Sequence, residues 1–566
     1  MMAELLDYAF QANSTYNVHE LRKPQYGVAT SGSIDRTGGA FSIVKELIYQ
    51  RQFLPAIRKF KKRRAVVDGA YEATYQEHAE RVFKLCNALR SQLGIEPGDR
   101  FAVLAASSHE YLELYHAAFL GAGIINPLNL RLAGKELDYI VGDSGTEVVF
   151  VDKHFAEPFA AATASGDQPG RIRKVVFIGD GDGPHDVRYD ALIAGGEPEV
   201  PAEPEEDDPV VLMYTGGTTG LPKGVLVSQR AEMLNCYHCA ITLKVFDEED
   251  VTLIQTPIFH AASMVGLLSG AFSGGSIVLM PMFEPGAVID LIEQYKVTTT
   301  TMVPTMIGMM LNHPGFSPER LESLRVLVYG ASPMPAAILD KLLELFPNLQ
   351  IAQGYGMTES SSVLTFLTPD QHFPGNPRLR SVGRPLTGVE LSIQDDAGNI
   401  LPNGESGEVC AKGGNYMSEY WNKPEATAEA FRGGWYHTGD AGYLDDDGYL
   451  FLVDRIKDMI VTGGENVYSV EVENAISTHA AVSQVAVVGI PSEQWGEAVH
   501  AVVVLEEGAE VTDVDIINHT RASIAGYKVP KSIEFRTEPL PLSGAMKVLK
   551  RALREPYWRG QGKRIG

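Results

Sequence analysis

At 566 residues the chain is too long for one ordinary hydrophobic core, so more than one domain is expected. Its 45% apolar and 21% charged residues are those of a globular protein. A formal net charge of −24 disfavours a nucleic-acid partner, because the long-range field repels phosphates.

Near the N-terminus, Glu4 and Asp7 interrupt any apolar run, so no signal peptide is expected. Residues 1–65 read as a partly basic N-terminal extension. Within them, Ser42–Lys62 carries apolar residues at helical spacing and runs into the basic stretch Arg58–Arg64. That stretch reads first as a solvated helix end, and second as a weak peripheral contact with an anionic membrane surface. From residue 66, short apolar runs alternate with helix-like segments. Phe101–Ala105 precedes Glu110–Leu120, Val148–Val151 and Val175–Ile178 follow, and Arg325–Tyr329 precedes Pro335–Phe346. Such alternation argues parallel sheets with crossover helices.

Four cysteines make no disulfide framework, and a reducing cytosol suits them. Cys236 and Cys239 form a lone C-x-x-C, read as two small residues on one helix face. Ala261–Phe283 has no charge but holds Gly274-Gly275, which predicts a buried helix, a turn and a buried strand rather than a membrane span. Pro201–Pro209 reads as an exposed acidic linker. Asp395–Gly398 and Asp445–Gly448 read as hairpin turns. Beyond Asp454 the character changes: strands are predicted at Val482–Ile490 and Val499–Leu505, and helices at Ser469–Ser477 and Thr512–Ile524.

The most informative segment is Tyr214-Thr-Gly-Gly-Thr-Thr-Gly-Leu-Pro-Lys-Gly-Val225, after the apolar run Val210–Met213. Gly216, Gly217 and Gly220 let successive N–H groups point into one concavity, which binds anions. Thr215, Thr218, Thr219 and Lys223 add hydroxyls and a cation for phosphate oxygens. A Walker loop needs Gly-Lys followed by Ser or Thr, whereas Lys223 lies between Pro222 and Gly224. Further on, Gly354-Tyr-Gly-Met-Thr-Glu359 offers an aromatic face for adenine (Tyr355), a hydroxyl for the α-phosphate (Thr358) and a hard oxygen ligand for Mg2+ (Glu359). Trp435-Tyr-His-Thr-Gly-Asp440 supplies a carboxylate, Asp440, for ribose hydroxyls.

Together these segments resemble the motifs of the adenylate-forming (ANL) superfamily, of the acyl-CoA synthetase type, in family order from about Ala70 to Arg554. The resemblance implies an α/β fold. A large N-terminal adenylate-forming domain of mixed and parallel sheets wrapped by helices, with a small β-barrel-like subdomain, would cover 66–454. A small mobile α+β lid would cover 458–566, joined by a hinge at 455–457. It implies that Gly330-Ala331-Ser332 cups adenine, that Arg455 is a second ribose contact and that Lys457 is the pivot. Gly463 and Gly464 would line the CoA tunnel. Lys547 would be the adenylation lysine that bridges carboxylate and α-phosphate. His260 would orient the substrate carboxylate or gate CoA entry. Two departures stand out: Gly216 where the family has serine, and Met546 where it has glycine.

The implied activity is ATP-dependent joining of a carboxylic acid to CoA through an acyl-AMP, with Mg2+. The alternative is transfer of the acyl group to a carrier protein. A carboxylate is ionised at neutral pH, so the first step needs charge stabilisation rather than a general base. The resemblance implies that Gly356 stands where acetate-using relatives close the pocket with a bulky aromatic, and Gly330 and Gly354 are also small. Met264, Met302, Met306, Met309 and Met310 fall in segments that line the family's acyl pocket. A medium-to-long or bulky apolar acid is therefore expected, in a cytoplasmic enzyme whose oligomeric state the sequence leaves open, a homodimer included.

Overall fold

Two large sheets carry the N-terminal two-thirds of the chain. The computed structural model describes residues 47–164, 171–215, 221–332, 334–455, 459–462, 465–543 and 548–559. One sheet has nine strands, centred on the parallel strands Val251–Ile254, Thr299–Met302, Val326–Gly330 and Gln350–Tyr355. The other has eight, centred on the parallel strands Arg100–Leu104, Ile124–Pro127 and Val148–Asp152. The apolar runs read from sequence are these strands. All of them but Gln350–Tyr355, which leads into the antiparallel strand Thr365–Leu367, are followed by a helix such as His109–Phe119 or Ala336–Leu345, as buried parallel sheets require.

The helix Tyr49–Phe60 is part of the core rather than an appended arm. Tyr49, Phe53 and Ile57 recur every four residues and are fully buried, and the Tyr49 and Phe53 rings pack against His116, and Tyr49 also against Phe119, of the helix His109–Phe119. Burying each such side chain contributes roughly 1.5–3 kcal/mol. The large domain therefore takes in chain from residue 47. At its basic end Lys59 pairs with Glu248 and Arg63 with Glu249, while Lys61 and Lys62 are exposed.

The charge-free stretch folds as a helix, Met264–Ser273, and a strand, Ser276–Leu279. Gly274 between them has φ +94, and a Cβ there would lie 2.5 Å from the Phe60 ring, so both conformation and packing require glycine. Among the described residues no helix is long and apolar enough to cross a membrane. Cys236 and Cys239 lie buried on the helix Gln229–Leu243, and burial pushes both thiols up.

The small β subdomain is a four-stranded antiparallel sheet in the order Glu390–Gln394, Gly407–Lys412, Tyr436–Leu444, Leu450–Arg455. Its turns follow aspartate chemistry. Asp395 accepts from the Ala397 and Asn399 N–H groups, and Asp445 accepts from those of Asp447 and Tyr449.

The C-terminal domain is α+β. Five strands, including the long hairpin Val482–Ser492 and Gly496–Leu505, carry the helices Ser469–Ser477 and Asp513–Arg521. Val472, Ile476, Val487, Val499 and Ile516 form its core.

Candidate active site

Chain topology brings the three sequence motifs to one place. Strands Pro209–Thr215 and Lys223–Ser228 pair antiparallel, with Thr215 opposite Lys223, so the glycine-rich loop leaves and rejoins the sheet at one point. Gly330 and Gly354 are register partners at the C-terminal ends of adjacent parallel strands, the end where open α/β sheets bind ligands. Both motifs open on a cavity of about 1060 Å³. Thr215, Lys223, His260, Gly330, Ala331, Gly354, Gly356, Thr358, Glu359 and Asp440 all line it.

The acidic groups are held by tyrosines. The Tyr355 hydroxyl donates to Asp440 Oδ2 at 2.7 Å, and Asp440 is buried. The Tyr420 hydroxyl donates to Glu359 Oε1 at 2.9 Å, and Lys223 Nζ sits 4.7 Å from the centre of the same Tyr420 ring. Burial first, and the Glu359 carboxylate second, push the Tyr420 hydroxyl up, so it remains a donor. One side chain thus ties the phosphate-loop lysine to the candidate metal ligand. Among the described residues Glu359 has no ion-pair partner, and its carboxylate faces the cavity. A hard oxygen beside a phosphate-gripping loop suits Mg2+ shared with phosphates.

The backbone is strained where these groups are aimed. Ala331 has φ +66, and Ser361 and Ser362 have φ +54 and +106. Such residues cost about 1–3 kcal/mol each and persist only where the surroundings fix them. For the turn after Glu359, the fixing groups are Asn235 and Asn415. Both are fully buried, and both side-chain amides donate to the carbonyls of Ser360 and Val363. His260 Nδ1 accepts from the Ala262 N–H at 3.2 Å, which leaves Nε2 as the proton-bearing nitrogen of the neutral ring.

Several expected groups fall outside the described residues: Gly216, Gly217, Thr218, Thr219, Gly220, Lys457, Gly463, Gly464 and Lys547. Ser332 and Tyr355 are described but do not line the cavity, so the Tyr355 ring, whose hydroxyl is spent on Asp440, is not the expected open face for adenine. Arg455 is the strand partner of Asp440. The chain flanking Lys547 is placed. Leu542 and Val548 pair, the Leu549 N–H donates to the Pro541 carbonyl, and Leu542, Ser543, Val548 and Leu549 line the cavity. Arg131 of the large domain donates Nη1 to the Leu542 and Ser543 carbonyls at 3.1 and 2.9 Å. Nothing in the sequence motifs marked Arg131, Tyr420, Asn235 or Asn415.

The pocket differs from its expected lining in two ways. Of the five methionines only Met302 lines the cavity. Met264 packs in the main core, Met306 and Met310 in a second core, and Met309 is 46% exposed. Gly356 lines the cavity, yet a Cβ there would lie 2.1 Å from the Ser362 carbonyl oxygen. Likewise, one on Gly330 would lie 2.3 Å from that of Gly354. These glycines are demanded by the chain's own close approach and say little about the acid. The apolar arm is built instead from Leu243, Val245, Phe246, Ile254, Val265, Met302, Val328 and Phe366.

The AMP-binding enzyme family model matches residues 53–421, and that of the AMP-binding enzyme C-terminal domain matches 471–547. The chain is 38% identical over 494 residues to a feruloyl-CoA synthase of Amycolatopsis sp, covering 87% of this chain and 96% of that one. It is 34% identical over 506 residues to a fatty acid–acyl-carrier-protein ligase of Streptomyces coeruleorubidus, covering 88% and 95%. Its fold matches the o-succinylbenzoate CoA synthetase of Bacillus subtilis, solved with ATP and magnesium ion, with a TM-score of 0.77 at 28% identity over 89% and 98% of the two chains. The chain therefore belongs to the AMP-binding enzyme family, as an AMP-forming acid–CoA ligase of the adenylate-forming (ANL) superfamily that works with ATP, Mg2+ and CoA.

Proposed function

We propose that this enzyme activates a medium-to-long or bulky apolar carboxylate, aliphatic or aryl, and then joins it to CoA. The observation that carries the reading is one continuous cavity with two chemistries. Thr358, Glu359, Lys223 and Asp440 line one part, and Leu243, Val245, Phe246, Val265 and Met302 line another. The relatives act on both kinds of acid, as a feruloyl-CoA synthase and a fatty acid–acyl-carrier-protein ligase.

In this reading Asp440 accepts from the ribose hydroxyls, and Arg455 assists. Residues 215–220, Lys223 and the Thr358 hydroxyl donate to the phosphates. Glu359 would hold Mg2+ together with phosphate oxygens, and the ion would supply neutralisation of charge there. The carboxylate oxygen attacks the α-phosphorus, the bond to pyrophosphate breaks, and Lys547 bridges the two anions as they meet. Its flanking residues already lie against the cavity. Residues 458–566 then turn about 455–457, bringing Gly463 and Gly464 toward CoA. The CoA sulfur attacks the acyl carbon, and AMP leaves. His260 orients the acid or gates the thiol.

The experiment is pyrophosphate release across a panel of carboxylates, each with CoA, with acyl-carrier protein, or with neither. Each CH2 buried in the apolar arm is worth about 0.8 kcal/mol, or roughly fourfold in kcat/KM. A graded rise with apolar size, and AMP release driven by CoA, are expected. Equal use of acetate and large acids would refute the apolar-acid assignment. Release driven by the carrier protein alone would favour the carrier-loading reading that the Streptomyces coeruleorubidus relative suggests.

A further inference from the structure

One corner of the cavity gathers three unlike donor groups that the adenylation chemistry does not use. Glu408 and Cys410 lie on the strand Gly407–Lys412, and His437 faces Cys410 directly across the ladder. The ladder is irregular between Glu408 and Cys410, a device by which antiparallel strands re-aim side chains. His437 Nδ1 lies 2.8 Å from Glu408 Oε2 and 3.3 Å from Cys410 Sγ. The three ligand atoms all lie within 4.8 Å of one another.

The other ring nitrogen decides what this corner can do. His437 Nε2 lies 3.2 Å from the Arg432 carbonyl. A carbonyl only accepts, so Nε2 carries a proton, and Nδ1 is left facing a carboxylate. Two acceptors 2.8 Å apart need a proton or a cation between them. A nucleophilic Cys–His–acid relay uses both imidazole nitrogens, one for the thiol and one for the acid. Here a single nitrogen meets both, so the arrangement converges on a point instead of relaying a proton. Convergence of sulfur, nitrogen and oxygen with a carbonyl behind the imidazole is the arrangement of a metal site.

We propose that Glu408, Cys410 and His437 form a site for a divalent ion of the zinc class, separate from the Mg2+ position at Glu359. A thiolate and an imidazole select zinc or cobalt over magnesium or calcium. Three protein ligands leave a fourth position, and Glu408 and His437 both line the cavity, which gives an ion its path in. On binding, the Cys410 thiol and His437 Nδ1 release their protons to solvent. Arg432, whose side chain is 44% exposed, gives up its 2.7 Å contact with Glu408 Oε2 and swings outward, at the small cost of a surface pair. Glu408 Oε1 keeps the Gly439 N–H at 3.2 Å, so the carboxylate stays anchored while its other oxygen turns to the ion.

The test titrates chelator-treated full-length protein with Co2+. One equivalent should bind with a thiolate-to-cobalt charge-transfer band and the visible absorption of tetrahedral coordination. One equivalent of Zn2+ should displace it, and excess Mg2+ should not. Cys410→Ser should abolish the band. His437→Gln should weaken binding by at least about 10–100-fold. Cys239→Ser, which removes a thiol elsewhere in the cavity wall, should leave band and affinity intact. Zn2+ should raise the melting temperature of the wild type and not of Cys410→Ser, and the metal-free melts show that each variant folds. A folded wild type with no thiolate band, or a band that survives Cys410→Ser, overturns the site.

Discussion

The two ends of the cavity are held by different forces. At the polar end the two carboxylates have directed partners, Tyr355 on Asp440 and Tyr420 on Glu359, and two asparagine amides hold the turn after Glu359. In the apolar arm, Leu243, Val265, Met302 and their neighbours act through volume alone. Directed bonds fix position to a fraction of an ångström, while packing fixes only how much space remains. Changes at the first end should therefore appear in rate, and changes at the second in choice of acid.

The largest expected effect belongs to Lys547, whose neighbours Ser543 and Val548 line the cavity. Lys547→Ala should cut acid-dependent pyrophosphate release by about 10²–10³ or more, as for a lost stabiliser of developing charge. Thioester formation from a supplied acyl-AMP should be largely spared. Equal loss in both half-reactions would mean that the lysine serves the fold or both steps.

The apolar end is probed by a pair of methionines that the sequence could not tell apart. Met264 is fully buried in the main core, so Met264→Ala should lower unfolding free energy by about 2–5 kcal/mol in a denaturant melt. The order of preferred acids should stay the same. Met302 is equally buried, in the second core, but one side of it lines the cavity, so Met302→Ala should, besides a cost in stability, shift preference toward larger acids, by about fourfold per added CH2. A reversal of these two outcomes would misplace the arm.

The difference between those methionines shows what kind of information a single chain displays. Lys223, Glu359 and Asp440 stand out in the sequence because phosphate, metal and ribose chemistry need particular residue types at short spacing, and the fold brings all three to one cavity. The alternation of apolar runs likewise gave the strands and helices of both domains. Met302 and Met264 differ only in what stands opposite them after folding. Asn235 reaches a carbonyl 125 residues away, and Asn415 reaches the same one across 55. No local pattern encodes such a clamp. Gly356 misled for a related reason, since its crowding partner, Ser362, is set by a turn whose strain is invisible in sequence.

A pH profile separates the two regions again. Glu232 sits on the helix that lends Cys239 and Leu243 to the cavity wall, and burial pushes its carboxyl up to about 8. Its folded pKa is above the unfolded one, so the protonated form is the one the fold prefers. Stability is then complete below the unfolded value of 4.5 and falls as pH rises toward 8, by up to about 1.4 kcal/mol per pH unit. Glu232→Gln should flatten that slope in melts across this range. An unchanged slope would show that the carboxyl is ionised inside the protein.

Tyr420→Phe removes one directed bond and keeps the ring under Lys223. A hydrogen bond to a charged group is worth about 1.5–3 kcal/mol, so a loss of about tenfold or more in kcat/KM is expected. It should be accompanied by a higher Mg2+ requirement for pyrophosphate release. A loss that is independent of Mg2+ would detach Tyr420 from Glu359.

The smallest effect concerns how the C-terminal domain meets the nucleotide end. Arg131 is exposed, and its two bonds reach backbone carbonyls of Leu542 and Ser543, five and four residues before Lys547. Exposed charged contacts are worth about 1 kcal/mol. Arg131→Ala should therefore slow adenylation about fivefold. If the clasp acts only by placing Lys547, the two losses cannot add. In the Lys547→Ala background, Arg131→Ala should change pyrophosphate release by less than about twofold. Full additivity in that double-mutant cycle would show that Arg131 contributes to the rate by a route that does not pass through the lysine.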